Sequence, residues 1–192
     1  MLVLVMMTIT LLTALSTAVT LATITETAIA ANYRDGTEAL YAAEAAVEFV
    51  MQELAPVPDW RDVVSEPGQS AFVDGPADGI RTVGAVTLDL TQATRDVYGF
   101  AAPAPGAVSP PWVLYAFGRF QDLVPSSLSR SGVYVAVWVA DRSQIPDETS
   151  RPEALSILGQ AYGPQGSRRS IEAVVTKADS SAIRVLSWRE LR

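Results

Sequence analysis

The sequence predicts an α+β fold: a long N-terminal α-helix, transmembrane in its first half, packed on a C-terminal antiparallel β-sheet head. Three observations predict it. Residues 1–25 carry no ionisable side chain, residues 31–55 keep helix-forming composition with an apolar stripe, and most of residues 112–191 fall into short β-branched and aromatic runs separated by turns. The expected domains are an N-terminal helix over 1–55, divided into a hydrophobic part (1–30) and an amphipathic part (31–55), and a mainly β head over 56–192. The 192-residue chain is 49% hydrophobic and 18% charged, with net charge −7 and neither Cys nor His. That composition removes imidazole acid/base catalysis, thiol nucleophiles, disulfides and zinc sites of the usual ligand type. It also argues against a nucleic-acid partner, because phosphate binding needs basic patches.

The run MLVLVMMTITLLTALSTAVTLATIT is uncharged throughout. As a helix it would extend about 37 Å, more than a hydrocarbon core of roughly 30 Å. Thr8, Thr10, Thr13, Thr17, Thr20 and Thr23 weaken a helix in water, but in lipid their hydroxyls can bond back to the preceding turn and suit helix–helix contact. A secretory signal peptide would be shorter and begin with basic residues. Ala28–Ala31 faintly resembles its cleavage site, yet a membrane span fits the length better. Glu26 then marks the exit at the headgroup boundary.

Beyond Glu26 no proline occurs until Pro56. Steps of three and four select Tyr33, Gly36, Leu40, Ala43, Val47, Val50 and Leu54, all apolar or small, while Arg34, Asp35, Glu38, Glu44, Glu48 and Glu53 fall elsewhere. Such a stripe predicts a helix with one face to bury, against a domain of the same chain rather than a coiled coil. Gly36 costs about 1 kcal/mol relative to Ala. Both a continuous helix of about 80 Å and a bend near Asn32–Gly36 remain compatible with the sequence. Pro56 and Pro58 end it either way.

Residues 56–80 are rich in Pro, Gly, Asp and Ser and predict an irregular connection. Val83–Leu90 (VGAVTLDL) predicts a strand, 101–111 a Pro-rich loop, and WVLYAFGRF (112–120) and GVYVAVWVA (132–140) two more strands. The last of these is apolar on both faces, which requires cover on both sides; the helical stripe is the natural cover for one. Residues 155–178 predict a hairpin around Gly-Pro-Gln-Gly, and 182–191 a final strand. Trp60, Trp112, Trp138 and Trp188 are expected in the core or on sheet faces.

The exit segment TITETAIAANYRD, the Ala-rich continuation ALYAAEAAVE and the late hairpin ILGQAYGPQGSRRSIEAVV together resemble type IV pilin-like proteins, most closely the PilX-type minor pilins. The first two are the more specific and cover residues 1–55. The resemblance implies a non-enzymatic minor subunit of a type IV pilus, contributing to assembly, stability or adhesion. It implies a single pass in the bacterial inner membrane with the head in the periplasm, then residence in the pilus. The implied partners are other pilins or pseudopilins through the N-terminal helix, inner-membrane lipid and the inner-membrane assembly platform, with no cofactor. A minor pseudopilin of a type II secretion system is the second reading, and a single-pass anchored domain of unrelated function the third. Such proteins carry a basic leader ending in Gly, expected here upstream of Met1. Major pilins have Glu at the fifth mature position; Val5 stands fifth in this chain, which fits a minor subunit better.

No catalytic, cofactor-binding or metal residue is proposed from the sequence. Ser126, Ser127 and Ser129 cluster, but no His is present to activate them. Asp141, Asp147 and Glu148 have oxygen ligands that suit calcium, yet the spacing is not that of an EF-hand and Arg142 and Arg151 lie among them, so a solvated loop over Asp141–Glu148 is expected. Arg168 and Arg169 are expected at an exposed hairpin tip, with contact to an acidic neighbour in a filament as the alternative.

Overall fold

In the computed structural model of the chain, residues 1–100, 111–124, 131–142, 154–179 and 182–191 are described. They divide into two compact units, Met1–Asp35 and Gly36 onward. The first unit is helical from Leu2. The helix, α1 (Leu2–Leu54), ends where Pro56 withdraws its backbone donor. Its last turn is closed by Ala55 N donating to Met51 O (3.0 Å), and the Trp60 indole N–H donates to Leu54 O (3.0 Å). Lys177, the only lysine in the chain, donates from Nζ to the carbonyls of Val57 and Pro58 and lies 5.4 Å from the Trp60 ring centre. A cation beyond a helix C-terminus is favourably placed in the helix dipole.

In the second unit the core is organised by a five-stranded antiparallel sheet. Before it come a hairpin of β1 (Ile80–Val83) and β2 (Val86–Asp89), then α2 (Leu90–Phe100). The sheet consists of β3 (Val113–Arg119), β4 (Tyr134–Asp141), β5 (Ala154–Tyr162), β6 (Arg168–Asp179) and β7 (Ala182–Leu191), in sequence order, with a one-turn α3 (Phe120–Leu123) after β3. Every residue of β4 from Tyr134 to Ala140 is buried. Val135, Val137 and Val139 join Leu155, Ile157, Ile171, Ala173 and Val175 in one core with α1; Ala136, Trp138 and Ala140 join Leu158 in a second core with α2 and the hairpin. The sheet is thus the middle of three layers, as a strand apolar on both faces demands.

The helical seam keeps most of the sequence stripe and widens it. Gly36, Ala43, Val47, Val50 and Leu54 of the stripe are buried, joined by Ala39, Ala42 and Ala46, whereas Tyr33 is 78% exposed and Leu40 only half-buried. The contact face is turned toward the alanines because small side chains let the helix backbone come close to the sheet. At Gly159 of β5 the approach is closest: a Cβ there would lie 2.5 Å from Val47 Cγ2 and 3.1 Å from Ala43 O.

Val83–Leu90 is not one strand but a hairpin followed by a helix start. Gly84 sits at φ +59°, a left-handed conformation that turns β1 into β2, and a Cβ there would collide with Pro164 at 2.6 Å. Asp89 then caps α2: its Oδ1 accepts from Thr91 N (2.9 Å) and Gln92 N (3.1 Å). Leu90, Ala93 and Val97 form the buried face of α2. Thr94 Oγ1 donates to Leu90 O and accepts from Trp138 Nε1 at 3.0 Å, joining α2 to β4. Trp60, Trp112 and Trp138 are buried, and Trp188 lies on the face of β7 opposite Ala173, 39% exposed.

Residues 56–80 form the expected irregular connection, with a role: residues 68–74 lie along the outer edge of β3. Gly68 N donates to Leu114 O (2.8 Å), Phe117 N to Phe72 O (2.9 Å) and Asp74 N to Phe117 O (3.1 Å). Glu53 of α1 accepts from Ser70 Oγ and from Ala71 N (2.9 Å), which ties this segment to the helix. On the other side of the sheet Glu172, 4% exposed, accepts both Nε (2.9 Å) and Nη2 (2.5 Å) of Arg189. A buried carboxylate requires such pairing.

Two stability measurements follow. Gly159→Ala is expected to destabilise the head by about 1–3 kcal/mol in denaturant unfolding. Adding Val47→Ala should recover part of the loss, since it removes the nearer of the two collisions. The second concerns alkaline pH. Burial, with the Glu53 carboxylate adding to it, pushes the Tyr115 phenol up to about 12 from an ordinary 10.0; burial raises Tyr162 to about 12 as well, with Asp96 adding to it and Arg168 opposing. Above pH 10 the unfolded state loses these protons first, so stability should be level below pH 10 and fall as pH rises toward 12. Tyr115→Phe should make that fall shallower.

Candidate assembly helix

All of residues 1–30 are exposed in their own chain. Leu2 is 75% exposed, Leu11 69%, Leu15 62% and Ile24 60%. An apolar helix of this kind in water would expose far more contiguous apolar surface than a soluble monomer tolerates. Such a surface calls for an apolar environment. Helix α1 is long and apolar enough to cross a membrane.

The threonines are reconciled with that environment locally. Thr8, Thr13, Thr17, Thr20, Thr23, Thr25 and Thr27 each donate their hydroxyl to the carbonyl four residues back, at 2.6–3.0 Å. Thr10 does the same toward Met6 O (3.0 Å) and also reaches Met7 O (2.9 Å). No hydroxyl among them needs a partner outside the helix, so their polarity is not a cost in lipid, and each outer surface is a methyl group. The first ionisable side chain is Glu26, exposed, with Arg34 and Asp35 following.

The family model described as PilX N-terminal matches residues 1–48. Residues 1–48 form a PilX-type pilin N-terminal domain. No curated protein and no solved structure gave a match to the chain. The N-terminal segment is thus PilX-like, and its apolar helix fits membrane anchoring. The PilX-type segment includes the uncharged run and also Gly36, Ala39, Ala42, Ala43, Ala46 and Val47, which are buried against the sheet. It thus contains both the exposed apolar surface and the start of the seam on which the head packs.

The remaining residues singled out by the sequence do not converge. Ser126, Ser127, Ser129, Asp147, Glu148 and Arg151 lie outside the described residues, as does most of the Pro-rich stretch 101–111. Asp141 ends β4 half-buried, and Arg142 N donates to Ala154 O (2.9 Å) while its Nη1 is 4.0 Å from Glu172. Arg168 and Arg169 are not at the hairpin tip, which is Gly163–Ser167; they open β6. Arg169 Nη1 pairs with Glu190 Oε1 at 3.3 Å in its own chain, and its guanidinium lies over Gly36, where a Cβ would be 3.1 Å from Nη2. Among the described residues no group of three Asp, Glu, His or Cys is gathered as a metal cluster. A groove of about 540 Å³ between α2 and β3, lined by Ala77, Thr91, Arg95, Trp112 and Leu114 among others, was not foreseen. The helix α2 that forms one wall of it had a legible signal in Asp89 followed by Leu90, Ala93 and Val97.

Leu15→Arg places a charge near the middle of the uncharged run, at about 3 kcal/mol on insertion scales. The variant is expected to lose much of its membrane-bound fraction in carbonate-washed membranes, whereas Leu15→Val should retain it.

Proposed function

We propose that this chain is a non-enzymatic minor subunit of a type IV pilus. Residues 1–30 anchor it in the inner membrane with residues 56–192 as a head on the periplasmic side, and on assembly the same helix moves from lipid into the filament core among the helices of other pilins. The observation that carries this reading is the exposed, uncharged PilX-type helix whose hydroxyls are already satisfied. Transfer from lipid to a helical core gains little from the hydrophobic effect, since both surroundings are apolar. The drive must come from close packing, for which Ala, Thr and Ser outnumber bulky residues along 13–31. The inner-membrane assembly platform would supply the directed movement. The head, stabilised by its own two cores, contributes to assembly, stability or adhesion rather than to chemistry. Its polar buried residues support that: Glu172 is held by Arg189, and Tyr134 by Asp74 at 3.1 Å.

The test uses the absence of cysteine. A reporter active only outside the cytoplasm, fused after residue 55, should be active. In filaments sheared from cells, Leu15→Cys, the single thiol of its chain, should crosslink to a thiol placed in the N-terminal helix of another pilin. A cytoplasmic reporter signal, or sheared filaments without the crosslinked species, would overturn the proposal.

A further inference from the structure

The two edges of the five-stranded sheet are finished differently. Along β3 the backbone of residues 68–74 supplies an added parallel stretch, with Val73 bridged to Phe117. Along β7 no backbone hydrogen bond is made on the outer side among the described residues. This edge is 10 residues long, and its side chains from Arg184 to Glu190 are exposed, including Val185 (45%), Leu186 (37%) and Trp188 (39%). A protected edge is short, or is charged where it faces a neighbour. The β7 edge is long and carries an aromatic.

The register of β7 on β6 sets what each face offers. Val185 lies opposite Val175 and Trp188 opposite Ala173, both partners belonging to the core under α1. Ile183, opposite Lys177, packs on that same core. The other face carries Arg184, opposite Thr176, and Arg189, opposite Glu172. The change of face falls at Leu186, which the pairing skips between Ser187 and Val185. Arg184 enters no ion pair among the described residues, and Arg189 is 60% exposed even while holding Glu172. The edge is therefore apolar at Ile183, Val185 and Trp188 on its α1 side, where Glu190 at the far end is held by Arg169, and on the other side it carries Arg184 and an Arg189 that holds Glu172.

We infer that β7 is a docking edge that takes an extended strand from a protein partner, antiparallel or parallel, with apolar side chains on the α1 side and acidic side chains on the other. Backbone hydrogen bonds supply the affinity and the alternating side chains the selectivity. A second copy of this chain does not satisfy the pattern. Setting β7 against itself so that Val185 meets Trp188 puts Arg184 opposite Arg189 on the other face, and like charges directly opposed weaken strand pairing. The charge on this edge thus admits one class of partner and rejects basic strands and self-pairing. The inference does not depend on the filament reading, since it concerns the head alone.

The experiment titrates the full-length chain, in detergent micelles, with synthetic ten-residue peptides. One alternates valine and glutamate, a second alternates valine and lysine, and a third is the glutamate peptide N-methylated along one edge. The glutamate peptide should bind and slow hydrogen exchange at β7 amides. The lysine peptide should bind about fivefold or more weakly, and N-methylation should abolish binding. Arg184→Glu, at an exposed position, should reverse the preference between the first two peptides while leaving the unfolding transition unchanged. Absence of β7 protection, equal binding of the N-methylated peptide, an unchanged preference in Arg184→Glu, or β7-dependent dimers in sedimentation would each overturn the inference.

Discussion

The constraint on which the head depends is that β4 is apolar on both faces and β5 beside it is buried on both. The nine residues of β5 are all buried, and β4 is buried from Tyr134 to Ala140. A sheet of this kind cannot exist with one face in water; it is stable only as a middle layer. The second half of α1 covers one face, and α2 with its hairpin covers the other. Everything else in the head serves one of those two contacts. Glu53 and the 68–74 segment hold α1 to the β3 edge, Lys177 and Trp60 finish its C-terminus, and Thr94 joins α2 to Trp138.

The closeness of the α1 layer is bought with small residues on both sides. Ala39, Ala42, Ala43 and Ala46 face a sheet that carries Gly159 and Ala173, so backbones rather than side chains set the separation. This explains why the seam extends beyond the sequence stripe. Gly36, Ala43, Val47, Val50 and Leu54 of that stripe are buried, but Ala39, Ala42 and Ala46 join them while Leu40 is only half-buried, because a helix lying close on a sheet favours small side chains at the contact. Residue size, and not hydrophobicity alone, selects the face.

Much of the sheet was legible for a related reason. β3, β4, the β5–β6 hairpin and β7 are runs in which β-branched and aromatic residues exclude other structure and turns bound each end. What could not be read was the second cover. VTLDLTQATRDV changes from strand to helix with no glycine or proline between, and Val, Thr and Leu satisfy either period. Only the Asp89 side chain, accepting from the first two free amides of α2, distinguishes the point of change. Trp188 lies on a sheet face as its strand run implies, but the openness of the β7 edge is a property of the sheet order and invisible in any local window. The N-terminal helix was the most legible part, since absence of charge over a whole span requires no tertiary information.

The same helix thus satisfies two unrelated packing rules in succession. Residues 1–30 are exposed, and their threonine hydroxyls are closed by bonds to the preceding turn, so the surface they present is largely apolar. Residues 36–54 bury one face on a sheet and leave Glu38, Glu44 and Glu48 off that seam. A helix satisfying only the first rule would be a plain anchor, and one satisfying only the second a core helix of a soluble domain. The PilX-type match extends across both, to residue 48. The apolar surface of residues 1–30 and the start of the head-packing seam therefore lie in one PilX-like segment, whereas the sheet that the seam packs on lies outside the match.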